Sequence, residues 1–310
     1  MNAPLLVAAA GGIFIFPFFL FSANAGQLAD KYDKAGLVRI LKLTELGLMI
    51  AAGVGFLVGS VWFLMLVLFL MGTQSAYFGP IKFGILPEQL ESDELIGGNA
   101  WVQTGTFIAI LLGTIAGKLV LEQNGLFLVS GMMVVMAILG WMASRRIPVT
   151  GAAAPELVVD TNVFTSTWEM LRYAASRRDL FLSILAISWF WLVGATFLAE
   201  ITPFAKEVLG GDHHLATLFL VVFSVGMALG SLLCNSMLKG EVHASFVPLG
   251  ALGISLFTID LYFASRHGLG TTGAIIGIAE FLDSFSGWRI LFDIGLIAVA
   301  GGVYIAVSYT

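Results

Sequence analysis

The stretch Gly26–Lys42, GQLADKYDKAGLVRILK, gathers Asp30, Lys31, Asp33, Lys34, Arg39 and Lys42 into one short run. From Met1 to Gln27 there is no Asp, Glu, Lys or Arg, and after the run only Glu45 interrupts an uncharged chain until Lys82. Charge this concentrated, between apolar stretches this long, marks a place where the chain leaves one hydrophobic phase and re-enters it.

The rest of the chain has the same character. Of 310 residues, 58% are hydrophobic and 11% charged, against roughly 25% charged in a soluble domain. Lipid is the solvent that such a composition fits, and lipid leaves only helices or closed barrels as spanning structures. Barrel strands alternate apolar and polar residues. LMIAAGVGFLVGS (48–60) does not alternate. The expected class is therefore an all-α polytopic membrane protein. Apolar windows place spans near 3–23, 40–58, 61–79, 101–121, 125–144, 180–200, 215–237, 245–264 and 288–308, about nine in all. Ala23-Asn24-Ala25 imitates a signal-peptidase site, but no Lys or Arg precedes the apolar run, and that run is too long for a signal peptide. Pro17 is expected to kink this first helix.

Basic residues fall unevenly. Lys31, Lys34, Arg39, Lys42, Lys82, Arg145, Arg146, Arg172, Arg177, Arg178 and Lys239 lie on one side, and Lys118, Lys206, Arg266 and Arg289 on the other. The positive-inside rule assigns the first set to the cytoplasm. The chain then starts outside, which suggests a missing preceding helix. Residues 145–179 form the longest polar segment. They carry Pro148, Gly151 and Pro155, then a candidate amphipathic helix at 164–177 with Trp168, Leu171 and Tyr173. This suits a cytoplasmic linker at the interface, dividing an N-terminal bundle (1–144) from a C-terminal bundle (180–310). Gly105, Ala109, Gly113 and Gly117 recur every fourth residue, as do Gly226 and Gly230. Such stripes permit close helix packing.

GQLADKYDK resembles the cytoplasmic signature between helices two and three of the major facilitator superfamily, broadly G-x-L-a-D-r-x-G-r. Gly26, Leu28, Asp30, Lys31 and Lys34 match; Asp33 stands where the second glycine is usual, so the tight turn is in question. The resemblance implies a conformational latch built from Gly26, Asp30, Lys31 and Lys34. The alternative is a solvated loop that only sets topology. It also numbers the spans two through ten of twelve, so the chain reads as a partial superfamily fold, incomplete at both ends. A second stretch, residues 72–117, contains YFGPIKFGILPE and GGNAWVQTGTFIAILLG. With residues 183–212 and 223–242, it resembles the lysophospholipid transporter family, in particular the version fused to an acyltransferase and an acyl-carrier-protein ligase. That resemblance implies a transporter in the bacterial inner membrane, flipping lysophosphatidylethanolamine-like lipids to the inner leaflet for reacylation by alternating access. The implied partners are lysophospholipid, membrane lipids and a fused or separate acyltransferase. Nucleic acid is not among them, and no cofactor is expected.

This chain carries no acyltransferase signature: no His is followed by Asp five residues on. The reading is a transporter rather than an enzyme. The alternatives are the membrane domain of a phospholipid-reacylating enzyme and a small-solute or drug exporter.

A zwitterionic head group needs a cation or N–H donors for phosphate and a carboxylate for amine. Lys82 is the leading cation, with Gly79, Pro80, Gly84 and Pro87 expected to break the helix around it; a snorkelling lysine is the plain alternative. Tyr77, Gln74, Asn99, Gln103 and Thr104 complete the candidate binding set, with interhelical hydrogen bonding as their alternative. Glu45, Glu200, Asp260, Asp293 and Arg289 are intramembrane charges. Glu45 is expected to pair with Lys42 or Lys82, and Arg289 with Asp293 one turn away. His213-His214 reads as a helix start capped by Asp212 rather than a metal site.

Overall fold

The computed structural model describes residues 3–238, 246–266 and 275–308. Lys239, His243 and His267 lie outside them, as does the side chain of Lys118. The helices are α1 (Ala3–Lys31), α2 (Lys34–Val58), α3 (Val61–Gly84), a single turn α4 (Leu86–Gln89), α5 (Leu95–Ser144), α6 (Val163–Ser176) and α7 (Arg178–Pro203). A π-helical turn, Phe204–Val208, follows α7; then come α8 (His213–Leu238), α9 (Phe246–Arg266), the short α10 (Ile278–Leu282) and α11 (Phe285–Ser308). Among the described residues, nine segments are long and apolar enough to cross a membrane, which agrees with the expected number.

Local chemistry sets the joints. Gly59 ends α2 in the left-handed region (φ 69°), open to glycine at no steric cost. Ser60 then caps α3 through its hydroxyl, which accepts from the Phe63 N–H at 3.4 Å. Gly125 (φ 72°, ψ −171°) breaks helical geometry inside α5, separating the membrane-length segments Gly97–Gly117 and Gly125–Ser144. Asp212 caps α8, accepting from the Leu215 N–H at 2.8 Å, as expected.

Two expectations are corrected here. The charged run is not a loop. α1 continues through Pro17 and past residue 23 to Lys31, and α2 begins at Lys34, so the connection shrinks to Tyr32 and Asp33. No glycine is needed at Asp33, whose φ of −57° and ψ of 121° any residue adopts. Its carboxylate caps α2, accepting from the Gly36 N–H at 2.7 Å. Likewise, α3 runs unbroken through Gly79 and Pro80 to Gly84, with Lys82 inside the helix.

The chain groups into two compact units, Met1–Gln89 with Gly117–Arg178, and Leu90–Ala116 with Asp179–Thr310. A division by chain order at the 145–179 segment differs from this grouping at residues 90–116. In the first unit α3 packs on α1 and α2, and α6 packs on α1. The closest α1–α3 approach is at Gly72, where a Cβ would collide with the Phe14 carbonyl oxygen. In the second unit α11 packs on α8 and α9, around Phe219, Phe281, Ile290 and Ile305. Gly226 and Gly230 of α8 lie against Ala298 and Val299 of α11, with no room for a side chain. The Gly105–Gly113–Gly117 stripe is different: no atom lies within 4 Å of where a Cβ would sit on any of the three. Small residues permit approach without compelling it.

Candidate functional site

The first unit concentrates its polar chemistry where α1 and α2 meet. Lys34 is only 4% exposed, yet it is charged, so it needs a partner. It has one in Glu88, 54 residues along the chain on α4, and the two form an ion pair. The second oxygen of Glu88 accepts from the Thr150 hydroxyl at 2.8 Å. The free oxygen of Asp33 accepts from the Thr150 and Gly151 N–H groups, both at 3.3 Å. Arg39 donates to the Ile147 carbonyl at 2.9 Å. The start of the polar segment 145–179 is thus tied to the α1–α2 junction and to α4. Of the expected latch residues, Lys34 is part of this knot. Asp30 is exposed and takes part through its carbonyl, which accepts from the Ala154 N–H at 2.7 Å. Lys31 lies over the Tyr32 ring at 5.8 Å, and Gly26 lies in the body of α1.

A second cluster sits within the membrane-length parts of α2 and α3. Lys42 pairs with Glu45 at 2.7 Å, one of the two partners expected, and lies 4.9 Å over the Phe78 ring. Gln74 donates to both the Glu45 carboxylate and the Leu41 carbonyl at 3.4 Å. Lys82 lies 5.2 Å over the Phe83 ring. Tyr77 donates to Asn24 at 3.0 Å, and Asn24 in turn donates to the Asp160 carbonyl at 3.1 Å. Gln27 accepts from the Asp160 N–H at 2.9 Å. This chain carries the polar segment onto α1, where Thr167 of α6 donates to the Leu20 carbonyl at 3.4 Å.

The second unit holds Asn99, Gln103 and Thr104, all buried on the first half of α5. Thr104 donates to the Ala228 carbonyl of α8 at 3.4 Å. Gln103 is 1% exposed, and its Nε2 has no hydrogen-bond partner among the described residues. An unpaired buried donor costs about 1–3 kcal/mol, so it is a place where a ligand acceptor is welcome. The same unit contains an apolar cavity of about 110 Å³. Phe107, Phe190, Trp191, Phe197, Phe223 and Met227 line it without a single charged group. Its walls offer dispersion and hydrophobic contact only.

The intramembrane charges resolve differently from expectation. Arg289 does not pair with Asp293 on its own helix. It gives Nε to Asp260 of α9 at 2.9 Å and a terminal nitrogen to the other Asp260 oxygen, a two-pronged ion pair. Glu200 lines a small cavity with Leu261, Ile294 and Ile297. His213 and His214 begin α8, and no metal-ligand cluster occurs among the described residues.

Three contributors escape inspection of the sequence. Asn24, hidden in the false cleavage motif, bridges Tyr77 to the 145–179 segment; the readable signal was an amide pair, Asn24 and Gln27, ending an uncharged apolar stretch. Glu88 and Asp33 anchor the knot, and no local spacing connects either to Thr150.

No protein-family model matches the chain. In sequence it is 23% identical over 287 residues to the lysophospholipid transporter LplT of Salmonella paratyphi B, covering 88% of this chain and 66% of that protein. The LplT of Salmonella newport matches with the same identity and coverage. The chain therefore spans just under two thirds of the length of these relatives. Among solved structures, a bacterial homologue of the iron transporter ferroportin in an outward-facing state superposes with a TM-score of 0.65. That match has 15% identity and covers 99% of this chain and 75% of the other. The major facilitator superfamily proton:xylose symporter XylE superposes with a TM-score of 0.69 at 13% identity, over 98% of this chain and 71% of that one. With nine membrane-length segments among the described residues and these neighbours, the chain has the fold of major facilitator superfamily transporters, and its sequence is similar to lysophospholipid transporters.

Proposed function

We propose that this chain belongs to a transporter that moves lysophospholipids across a bacterial inner membrane, toward the inner leaflet, by alternating access. The observation that carries the reading is the all-apolar, aromatic-walled cavity of the second unit. A polar solute or a metal ion would find no partner there, whereas a hydrocarbon chain loses nothing by entering. The sequence likeness to lysophospholipid transporters adds to it. Each unit is taken by itself: the first offers Lys82, Gln74 and Tyr77 as proposed head-group contacts, and the second offers Asn99, Gln103 and Thr104. Lys82 supplies charge for phosphate, and the unpaired Gln103 amide supplies a donor. Gly26, Asp30, Lys31 and Lys34 remain the proposed latch, with Glu88 and Thr150 added. The product, a lysolipid in the inner leaflet, suits an acyltransferase with an acyl-carrier-protein ligase, fused or separate, that restores the second chain.

The test is a flipping assay. The full-length gene product is reconstituted in vesicles with fluorescent lysophosphatidylethanolamine in the outer leaflet, and albumin extraction reports what remains accessible. Protein-dependent loss of extractable lipid, slowed by Phe223→Asp in the cavity wall, is expected. Transfer equal to that of empty vesicles overturns the reading.

A further inference from the structure

α6 divides into three sectors. Residues step by about 100° around a helix, which puts Val163, Ser166, Thr167 and Ala174 on one side. Ser166 and Ala174 are buried and Thr167 donates to the Leu20 carbonyl, so this side docks on α1. Thr165, Glu169, Arg172 and Ser176 form a second, polar sector. Between the two, Phe164, Trp168 and Leu171 fall in register at spacings of four and three. They are 75%, 69% and 48% exposed. Met170 and Tyr173 fall toward the docked side. A segment that only connects would be polar along the open stripe; large apolar side chains aligned there mark a contact surface.

Two observations say what covers it. The first is length. α6 has 14 residues, about 21 Å of helix, short of the ~30 Å hydrocarbon core. It is not among the membrane-length segments, so it fits along a membrane surface rather than through it. The second is charge. Residues 163–178 carry Arg172, Arg177 and Arg178 against a single acid, Glu169, in a chain whose net charge is −5. All three arginines are exposed. Asp179 follows them, but it sits in the first turn of α7, where the helix dipole accommodates an acid. An apolar stripe bordered by guanidinium groups is the pattern of a helix lying in an anionic lipid interface. An apolar groove on a protein would cover the stripe and leave the arginines unanswered.

We propose that α6 is a membrane-surface helix that recognises anionic phospholipid. Phe164, Trp168 and Leu171 insert at the boundary between head groups and acyl chains, and Arg172, Arg177 and Arg178 engage lipid phosphates. Each arginine near an anionic leaflet favours the seated state by about fivefold. The helix is not an isolated anchor. Asp160, at its entry, is bonded to Asn24 and Gln27 of α1, and Asn24 is bonded to Tyr77 of α3. Seating α6 on lipid therefore bears on the polar bonds of the first unit, and the composition of the leaflet reaches them through it. The inference does not depend on the lysolipid reading.

The test uses the 310-residue chain with Cys234→Ala, so that one introduced cysteine takes the label. Leu171→Cys carries the fluorophore NBD on the stripe, and Thr165→Cys carries it on the polar sector. Each protein is reconstituted in phosphatidylcholine vesicles with or without phosphatidylglycerol. Brominated acyl chains report contact with lipid, and iodide reports contact with water. The label at 171 is expected to be quenched by brominated lipid at least about twofold more with phosphatidylglycerol than without, and high salt should abolish that gain. The label at 165 stays open to iodide in both. Replacing the three arginines together (Arg172→Gln, Arg177→Gln and Arg178→Gln) removes the gain. Were that triple variant not to insert, the salt dependence of the 171 label decides alone. Four results overturn the proposal: a label at 171 open to iodide in both vesicles, equal lipid quenching at 165 and 171, quenching at 171 indifferent to phosphatidylglycerol, or shielding of 171 that grows with protein density at fixed lipid composition. The last would make the stripe a contact between copies of the chain.

Discussion

The two units are held together with different emphasis. The first is laced by directional polar bonds: Lys34 to Glu88, Asp33 and Glu88 to Thr150, Tyr77 through Asn24 to Asp160. The second is fitted by shape, with Gly226 and Gly230 letting α8 touch α11 and aromatic side chains filling the remaining space. Polar lacing is local and can be undone bond by bond. Backbone-to-backbone packing has no give, because neither partner can rotate out of the way.

That contrast can be broken most sharply at Gly230. Gly230→Leu drives a side chain into the Val299 carbonyl, and we expect the protein to vanish from the membrane fraction. Gly113→Leu, on a glycine with open space around it, is expected to change stability by less than about 0.5 kcal/mol. If both behave alike, shape does not hold the second unit. Next in size is Lys34→Met, which strands Glu88. Removing one partner of a buried pair costs about 3–5 kcal/mol; Glu88 is partly exposed, so the low end is expected in thermal unfolding followed by circular dichroism. Adding Glu88→Leu to Lys34→Met should recover much of that loss. Asp33→Ala removes the α2 cap and should cost about 1 kcal/mol, with Asp33→Ser retaining most of it. Tyr77→Phe cuts one hydrogen bond and should cost about 1 kcal/mol, read out as faster proteolysis between residues 155 and 162. Asp30→Asn should be the smallest, under about 0.5 kcal/mol, because only its backbone carbonyl is engaged. A larger effect would bring the Asp30 carboxylate into the knot as well.

The number of spans was legible because a membrane-crossing helix is a length of apolar chain, and length is a one-dimensional property. Their ends were less so. α1 keeps going to Lys31 because helical hydrogen bonds do not stop where hydropathy does. Partners were the hardest to read. Lys42 and Glu45, three residues apart, were foreseeable; Lys34 and Glu88 were not. Arg289 shows why proximity in sequence misleads: Asp293 is one turn away, yet Asp260, 29 residues off, accepts two bonds at once. The candidate site was half visible. Buried amides such as Gln103 stand out in an apolar run, whereas a cavity walled by phenylalanines is indistinguishable from core until the helices are placed.

The stitching of the 145–179 segment has a mechanical meaning. A free chain of that length would wander over roughly 30 Å, a slack rope between two bodies. Here it is fastened at Ile147, Thr150, Gly151, Ala154, Asp160 and Thr167. α6 then ends at Ser176, Arg177 is extended (φ −115°, ψ 103°), and α7 starts at Arg178. Almost all of the slack of this segment is gone before α7 begins.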